Sequence, residues 1–272
     1  MICQAPMHKH SVKKKEQYQC LACESLFEDF CLICHHCHAC DTVAPITEDE
    51  MEGIENESGH HRRAKKATNI STRLPPMVST GRKAWNIVLG GGVALPSSIL
   101  VAGPSGVGKT TMLLAILDYL GEKTKRPVLY GSAEMPETML KHFCERLGLG
   151  MKHLYIHSSK QAEDMHEDIL DLNPIAIVWD SIQRFRVNGS LGEVELRDVV
   201  TGAIESGERV KAVSFLISHV TKEDNFMGPN GIGHDVDVVV YLRKVSENLV
   251  AVETREKNRF APTPLTATEA LY

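Results

Sequence analysis

The segment GPSGVGKT, Gly103 to Thr110, constrains this chain more than any other. It fits G-x-x-x-x-G-K-[ST] and stands between an apolar run, Ile99 to Ala102, and a helical pattern from Thr110 to Leu120. Strand, glycine-rich turn and helix in that order form a cradle for phosphates, a context that a ligand-free glycine turn does not need. Glycines let the backbone wrap with its N–H groups turned inward, and the helix N-terminus adds positive potential. Gly103, Pro104, Ser105, Gly106, Val107, Gly108, Lys109, Thr110 and Thr111 are therefore the expected nucleotide cradle. Lys109 is expected to reach the β- and γ-phosphates, and the Thr110 hydroxyl to ligate Mg²⁺.

Around this segment, strand-like and helix-like stretches alternate. RPVLYGS reads as a strand, Pro136 to Leu147 as a helix closed by Gly148, and HLYIHS as a strand. Met165, Ile169 and Leu172 mark a helical face, IAIVWD is a buried-type strand, and Val194 to Ser206 reads as a helix. AVSFLIS, VDVVVYL and LVAVETREKNR supply three more strands. Apolar strands alternating with helices predict an α/β fold, a parallel sheet covered on both faces. No internal repeat is present.

Two acids suit the phosphate chemistry. Asp180 ends the apolar strand IAIVW, where a carboxylate can hold the magnesium shell through water, although capping or exposure would also explain an acid there. Glu134 ends VLYGSAE at the carboxyl edge of the sheet, where ligands bind in open α/β folds. A carboxylate so placed can orient and deprotonate an attacking water, or it can be an ordinary exposed glutamate. His219 ends AVSFLIS and is either a structural histidine or a hydrogen-bond donor to the γ-phosphate. In TREKNRFAP, Arg255, Lys257 and Arg259 share one strand face while Val250, Val252 and Phe260 share the other. That is a short basic stripe backed by core.

Six of the eight cysteines fall between Cys20 and Cys40. No run reaches the roughly 18 apolar residues of a membrane span, and the N-terminus lacks a signal-peptide core, so a cytoplasmic protein is expected. In a reducing compartment such a cluster points to metal before disulfides. Cys20 and Cys23 form the first thiolate pair for a tetrahedral Zn²⁺; the second is Cys31/Cys34, Cys34/Cys37 or Cys37/Cys40. So small a module could hardly fold without a metal. From Asp41 to about Leu74 hydrophobic periodicity is lost, with the acidic TEDEMEGIENE followed by the basic HHRRAKK. The expected domains are thus a zinc-finger module (1–45), a flexible charged linker (46–76) and a catalytic core (77–272). The net charge of −5 confines any nucleic-acid contact to a local patch.

VLGGG, GPSGVGKTT, VLYGSAE, RLGL, WDSIQ, GEVELR, HVTKE, MGP and KNRF occur in this order. Together they resemble the bacterial RadA (Sms) DNA-repair ATPase family, from about residue 18 to residue 260. HVTKE and KNRF are far more specific than the phosphate loop. The resemblance implies a RecA-like P-loop core, a mostly parallel twisted sheet preceded by a small zinc-binding module. It also implies a hexameric ring on DNA with ATP at subunit interfaces. It makes Glu134 the catalytic base, and His219 the coupler between nucleotide state and a DNA loop. It selects Cys34 and Cys37 as the second zinc pair, leaving Cys31, Cys40, His35, His36 and His38 as extra residues for a second metal site or for none.

The loops after Asp180 and His219 correspond to segments that line a DNA channel in RecA-like proteins. Arg184, Arg186 and Lys222 are the expected phosphate contacts there, with Glu193, Glu195, Glu223 and Asp224 working against them. In a ring, Lys257 and Arg259 would approach the ATP of the adjoining protomer, with DNA contact as the second choice. The family continues past KNRF into a second large domain of protease-like fold, whereas only Ala261 to Tyr272 follow here, and Ala261 replaces the family's glycine. The expected function is a DNA-stimulated Mg-ATP-hydrolysing motor of recombination and repair, acting on single-stranded or branched DNA by branch migration or helicase-like translocation. A helicase or recombinase partner would bind through the zinc module. The alternatives are a KaiC-like nucleotide-switched assembly ATPase indifferent to DNA, and a zinc-dependent adaptor with a vestigial ATPase fold. Intact Lys109, Thr110, Glu134 and Asp180 argue against the adaptor.

Overall fold

The computed structural model describes residues 18–20, 26–27, 43–45, 66–69, 75–187, 193–219 and 231–271. The chain divides into two units, Met1–Thr72 and Arg73–Tyr272. In the first, β1 (Tyr18–Cys20) pairs antiparallel with both β2 (Leu26–Phe27) and β3 (Val43–Pro45). Cys20 closes β1 and is buried. Cys23, Cys31, Cys34, Cys37, Cys40, His35, His36, His38 and Lys222 lie outside the described residues.

The second unit opens with β4 (Met77–Val78), α1 (Lys83–Leu89) and β5 (Val93–Ala94), β4 and β5 forming an antiparallel pair. The main chain then alternates as the apolar periodicity requires: β6 (Ser97–Gly103), α2 (Lys109–Thr124), β7 (Val128–Ser132), α3 (Glu137–Arg146), β8 (Leu154–His157) and α4 (Ala162–Leu172). There follow β9 (Ala176–Asp180), α5 (Glu193–Arg209), β10 (Val213–His219), α6 (Ile232–Asp235), β11 (Val238–Lys244), β12 (Leu249–Asn258) and β13 (Leu265–Ala270). Left-handed residues end several helices, Gly90 after α1 and Asn173 after α4 among them, and return N–H groups to the last turn.

The large sheet has eight strands in the order β13-β12-β11-β6-β10-β9-β7-β8. From β11 to β8 every pairing is parallel, while β12 and β13 add antiparallel ladders at one edge. The sheet is buried on both faces because its strands alternate between two cores. Ile99 and Val101 join Trp85, Met112 and Leu117 on the face covered by α1, α2 and α3. Leu100 and Ala102 join Met165, Val199 and Ile232 on the face covered by α4, α5 and α6. Among the described residues no helix is long and apolar enough to cross a membrane.

Two elements were not expected from the sequence. β13 pairs with β12 where the apolar pattern had ended, because its LTATEA alternates half-buried and exposed residues, mostly small ones, and carries little hydrophobic signal. α1 is a short helix of seven residues beneath the sheet. The β12 register also slips, Val238 facing Asn258 while Val240 faces Thr254, so the irregularity falls within the basic end of that strand.

Candidate active site

The phosphate loop leaves β6 at Gly103 and enters α2 at Lys109. A side chain at Gly103 would meet the Leu242 carbonyl oxygen at 2.7 Å, so glycine is needed for the loop to lie against β11. Gly106 and Gly108 take φ of 75° and 103°, which turns the loop so that the helix begins with free N–H groups. Pro104, Ser105 and Gly106 are exposed at its tip; Val107, Lys109 and Thr111 are buried beneath, with Thr110 half-buried between them.

Around this loop the sheet edge assembles the rest. The Lys109 ammonium donates to the carbonyl oxygens of Gly103 at 2.7 Å and Pro104 at 3.0 Å, and lies 3.4 Å from His219 Nδ1. Burial lowers its pKa, while the charges of Asp180 and Glu134 pull it back up. Asp180 ends β9 with 4% of its surface exposed, and its Oδ2 accepts from the hydroxyls of Tyr130 at 2.5 Å and Thr110 at 3.2 Å. Burial raises the Asp180 carboxyl above the usual value, against the Tyr130 hydrogen bond. A buried carboxylate beside a hydroxyl is a hard-oxygen pair of the kind that suits magnesium, which binds through one or two protein oxygens plus phosphates and water. Thr110 and Asp180 therefore fit the ion. Among the described residues no three His, Cys, Asp or Glu side chains converge as a closed metal site would require.

Glu134 lies two residues beyond the end of β7 rather than on the strand. The turn that carries it is tied by the Ser132 hydroxyl, which accepts from the Met135 N–H at 2.8 Å, and by the Ala133 N–H donating to the Asp180 carbonyl at 2.7 Å. Its carboxylate accepts from the Ser181 hydroxyl at 2.6 Å, lies 3.3 Å from His219 Nε2 and 3.9 Å from Arg184 Nε. Burial pushes the Glu134 carboxyl up, but Ser181, His219 and Arg184 outweigh it and hold the pKa below the ordinary glutamate value. His219 thus stands between the loop lysine and the glutamate, one ring nitrogen toward each.

The cleft edge therefore joins Lys109, Thr110, Glu134, Asp180 and His219, from β6–α2, β7, β9 and β10. A model of the AAA domain matches residues 80–225, which span all five. The chain belongs to the AAA domain family.

This AAA chain is 29% identical over 259 residues to the DNA repair protein RadA of Streptococcus pyogenes serotype M3, an alignment covering 92% of this chain and 56% of that protein. It is 28% identical over 260 residues to the RadA of Bacillus subtilis, covering 92% of this chain and 57% of the relative. The resemblance to RadA read from the motifs thus holds over most of the AAA chain, which spans just over half the length of these relatives. Among solved structures, a KaiC-like protein from Pyrococcus horikoshii superposes with a TM-score of 0.58 at 16% identity, covering 71% of this chain and 93% of that one. The RadB recombinase superposes at 0.55 with 22% identity, covering 71% and 94%. These likenesses show the shared P-loop α/β fold.

The remaining expected residues lie elsewhere. Arg184 follows Asp180 in a short 3₁₀ turn, exposed but turned toward Glu134; Arg186 is exposed, with its backbone joined to Lys160 and Ala162. Lys257 donates to the His234 carbonyl at 2.5 Å, and Arg259 pairs with Asp237 at 2.7 Å. Asn258 pairs with Val238, which pairs with Ile99 near the start of β6, so these cations sit at the sheet edge away from Gly103. At about 3.3 Å per residue that is about 13 Å along the strand. Within one chain they cannot meet the phosphate loop. Val250, Val252 and Phe260 do pack in the α2-side core, while Arg255 lies over the Tyr241 ring on the other face, as strand alternation predicts.

Tyr130, Ser132, Ser181, Gln183 and Ser218 also belong to the site, and no motif marks them in the sequence. Tyr130 and Ser132 are the polar side chains on an otherwise apolar strand, four and two residues before Glu134, a spacing that puts them on one face. Gln183 donates to the Ser218 hydroxyl at 2.7 Å, joining the turn after Asp180 to the end of β10. No spacing rule links those two.

Proposed function

We propose that the chain is an Mg-ATP hydrolase acting in DNA recombination and repair, a motor on single-stranded or branched DNA. The observation that carries this is a glutamate fixed by Ser181 and His219 opposite a phosphate loop, in a chain similar to RadA over 92% of its length. Glu134, held ionised, accepts the proton of a water positioned for in-line attack on the γ-phosphate. Lys109 exchanges its bonds to Gly103 and Pro104 for phosphate oxygens and neutralises developing charge. Thr110 and Asp180 would hold a magnesium ion, which when bound would offset phosphate charge.

His219 touches both Lys109 and Glu134 and immediately precedes residues 220–230, which include Lys222. That position suits a coupler between the nucleotide and a DNA-contacting loop, with Arg184, Arg186 and Lys222 as phosphate contacts. Lys257 and Arg259, remote from their own loop, are assigned to the ATP of a neighbouring subunit in a hexameric ring. The N-terminal module would hold a structural zinc through Cys20, Cys23, Cys34 and Cys37 and dock a helicase or recombinase; the buried position of Cys20 at the end of a short strand supports this. The proposed boundaries are 1–45 for that module, 46–76 for a linker and 77–272 for the ATPase core.

The test is ATP turnover with and without single-stranded and branched DNA, with Lys109→Ala as control. DNA-stimulated turnover lost in the control is expected. Turnover indifferent to DNA would replace this reading with a nucleotide-switched assembly ATPase, and no turnover at all would leave an adaptor.

A further inference from the structure

We propose that Tyr130 is a positioning residue that holds the Asp180 carboxylate in place for the magnesium ion, an inference that rests on the ATPase reading of the site. Tyr130 and Ser132 of β7 pair in register with Val178 and Asp180 of β9, so the phenol lies diagonally beside the Asp180 side chain on the face that α2 covers. Its ring is fully buried in the core cluster that also holds Val128, Leu117 and Val178, where a phenylalanine would fill nearly the same volume. The hydroxyl is therefore not there for packing. It donates to Asp180 Oδ2 at 2.5 Å, closer than the 3.2 Å bond from Thr110 to the same oxygen.

Two donors on one carboxylate oxygen divide the labour. Thr110 is itself a candidate magnesium ligand, so its hydroxyl serves the ion as well as Asp180. Tyr130 stands in the strand next to β9 and outside the phosphate loop, and so restrains the carboxylate whether or not nucleotide is bound. A buried carboxylate with a fixed rotamer gives the ion a formed half-site; one that has lost its second donor must be reoriented each time the ion enters. This assigns Tyr130 to metal affinity rather than to phosphate binding or proton transfer.

The test uses Tyr130→Phe in the full chain. ATP affinity in EDTA, read by calorimetry, should match the wild type, whereas the Mg²⁺ concentration giving half-maximal strengthening of ATP binding should rise about 10- to 100-fold. Normal Mg²⁺ dependence in a folded variant would overturn the proposal, as would an equal loss of ATP affinity with and without the ion. Because the readout is binding, a wild type that binds Mg-ATP without hydrolysing it defeats the ATPase reading and leaves this test intact. If the variant does not fold, proton NMR of the wild-type Tyr130 hydroxyl replaces it. A downfield resonance that moves when Mg²⁺ is added to the ATP complex supports the proposal; one indifferent to the ion overturns it.

Discussion

Ser181→Ala removes one hydroxyl and leaves the fold nearly untouched. Ser181 is fully buried, its hydroxyl donates to Glu134 Oε1 at 2.6 Å, and it follows Asp180 directly. A hydrogen bond to an ionised group contributes about 1.5–3 kcal/mol. Glu134 keeps 33% of its side chain exposed, so water replaces part of the lost bond and the lower end of that range applies. At 1.36 kcal/mol per tenfold, about 1.5 kcal/mol lowers kcat roughly tenfold. The Ser181 hydroxyl bonds Glu134 rather than the phosphate loop, so KM for ATP should be unchanged, a split that marks lost orientation rather than lost binding. The assay is steady-state ATP turnover of the variant beside the wild type, with Glu134→Gln giving the floor. Wild-type kcat in Ser181→Ala while Glu134→Gln is inactive would refute the claim that this hydroxyl orients the base. A large rise in KM with kcat intact would do the same.

Three further outcomes follow from packing and charge. Arg259→Ala should leave the monomer folded, because its partly exposed pair with Asp237 contributes under about 1 kcal/mol, yet lower turnover by about 10³-fold through the neighbouring site. Normal hydrolysis with lost DNA binding would reassign the residue. Glu269→Ala breaks the ion pair with Arg82 and the acceptor for the Ala84 N–H at the start of α1, which should cost about 1–2 kcal/mol and lower Tm by about 2–8 °C. An unchanged melting curve would show that β13 does not anchor α1. Burial beside Trp179 lowers the His166 pKa, against the charges of Glu163 and Glu205. Its contribution to stability is therefore complete above the unfolded value near 6.5 and lost as pH falls toward the folded value. Denaturant unfolding across that window should show stability falling with acid, and His166→Gln should flatten the dependence; an equal slope in the variant would exclude His166 as the cause.

The central strands and the phosphate loop were legible because each obeys a local rule. The glycines and Lys109 sit at fixed offsets, and the buried strands are continuous apolar runs bounded by helices. β13 escaped because its half-buried positions hold Leu265, Ala267 and Glu269, only one of them a large apolar residue, which leaves no hydrophobic alternation to read. The bulge in β12 escaped because register is a property of two strands. Asp180 was visible as a strand-end carboxylate and Glu134 as an acid close to another strand's end, but the hydroxyls that hold them were not. Ser181 and Tyr130 gain their meaning from the β7–β9 pairing, which brings together positions about fifty residues apart. The distance of Lys257 and Arg259 from their own phosphate loop was equally hidden, since it depends on which strand β12 joins.

The measurement that bears most directly on the whole account is single-turnover hydrolysis of bound Mg-ATP by the wild type and by Glu134→Gln, with nucleotide affinity measured on both. Equal binding, with hydrolysis at least about 10²-fold slower in the variant, is the expected result. Equal hydrolysis by the two proteins would contradict it, and Glu134 would then be an ordinary exposed acid beside a nucleotide site.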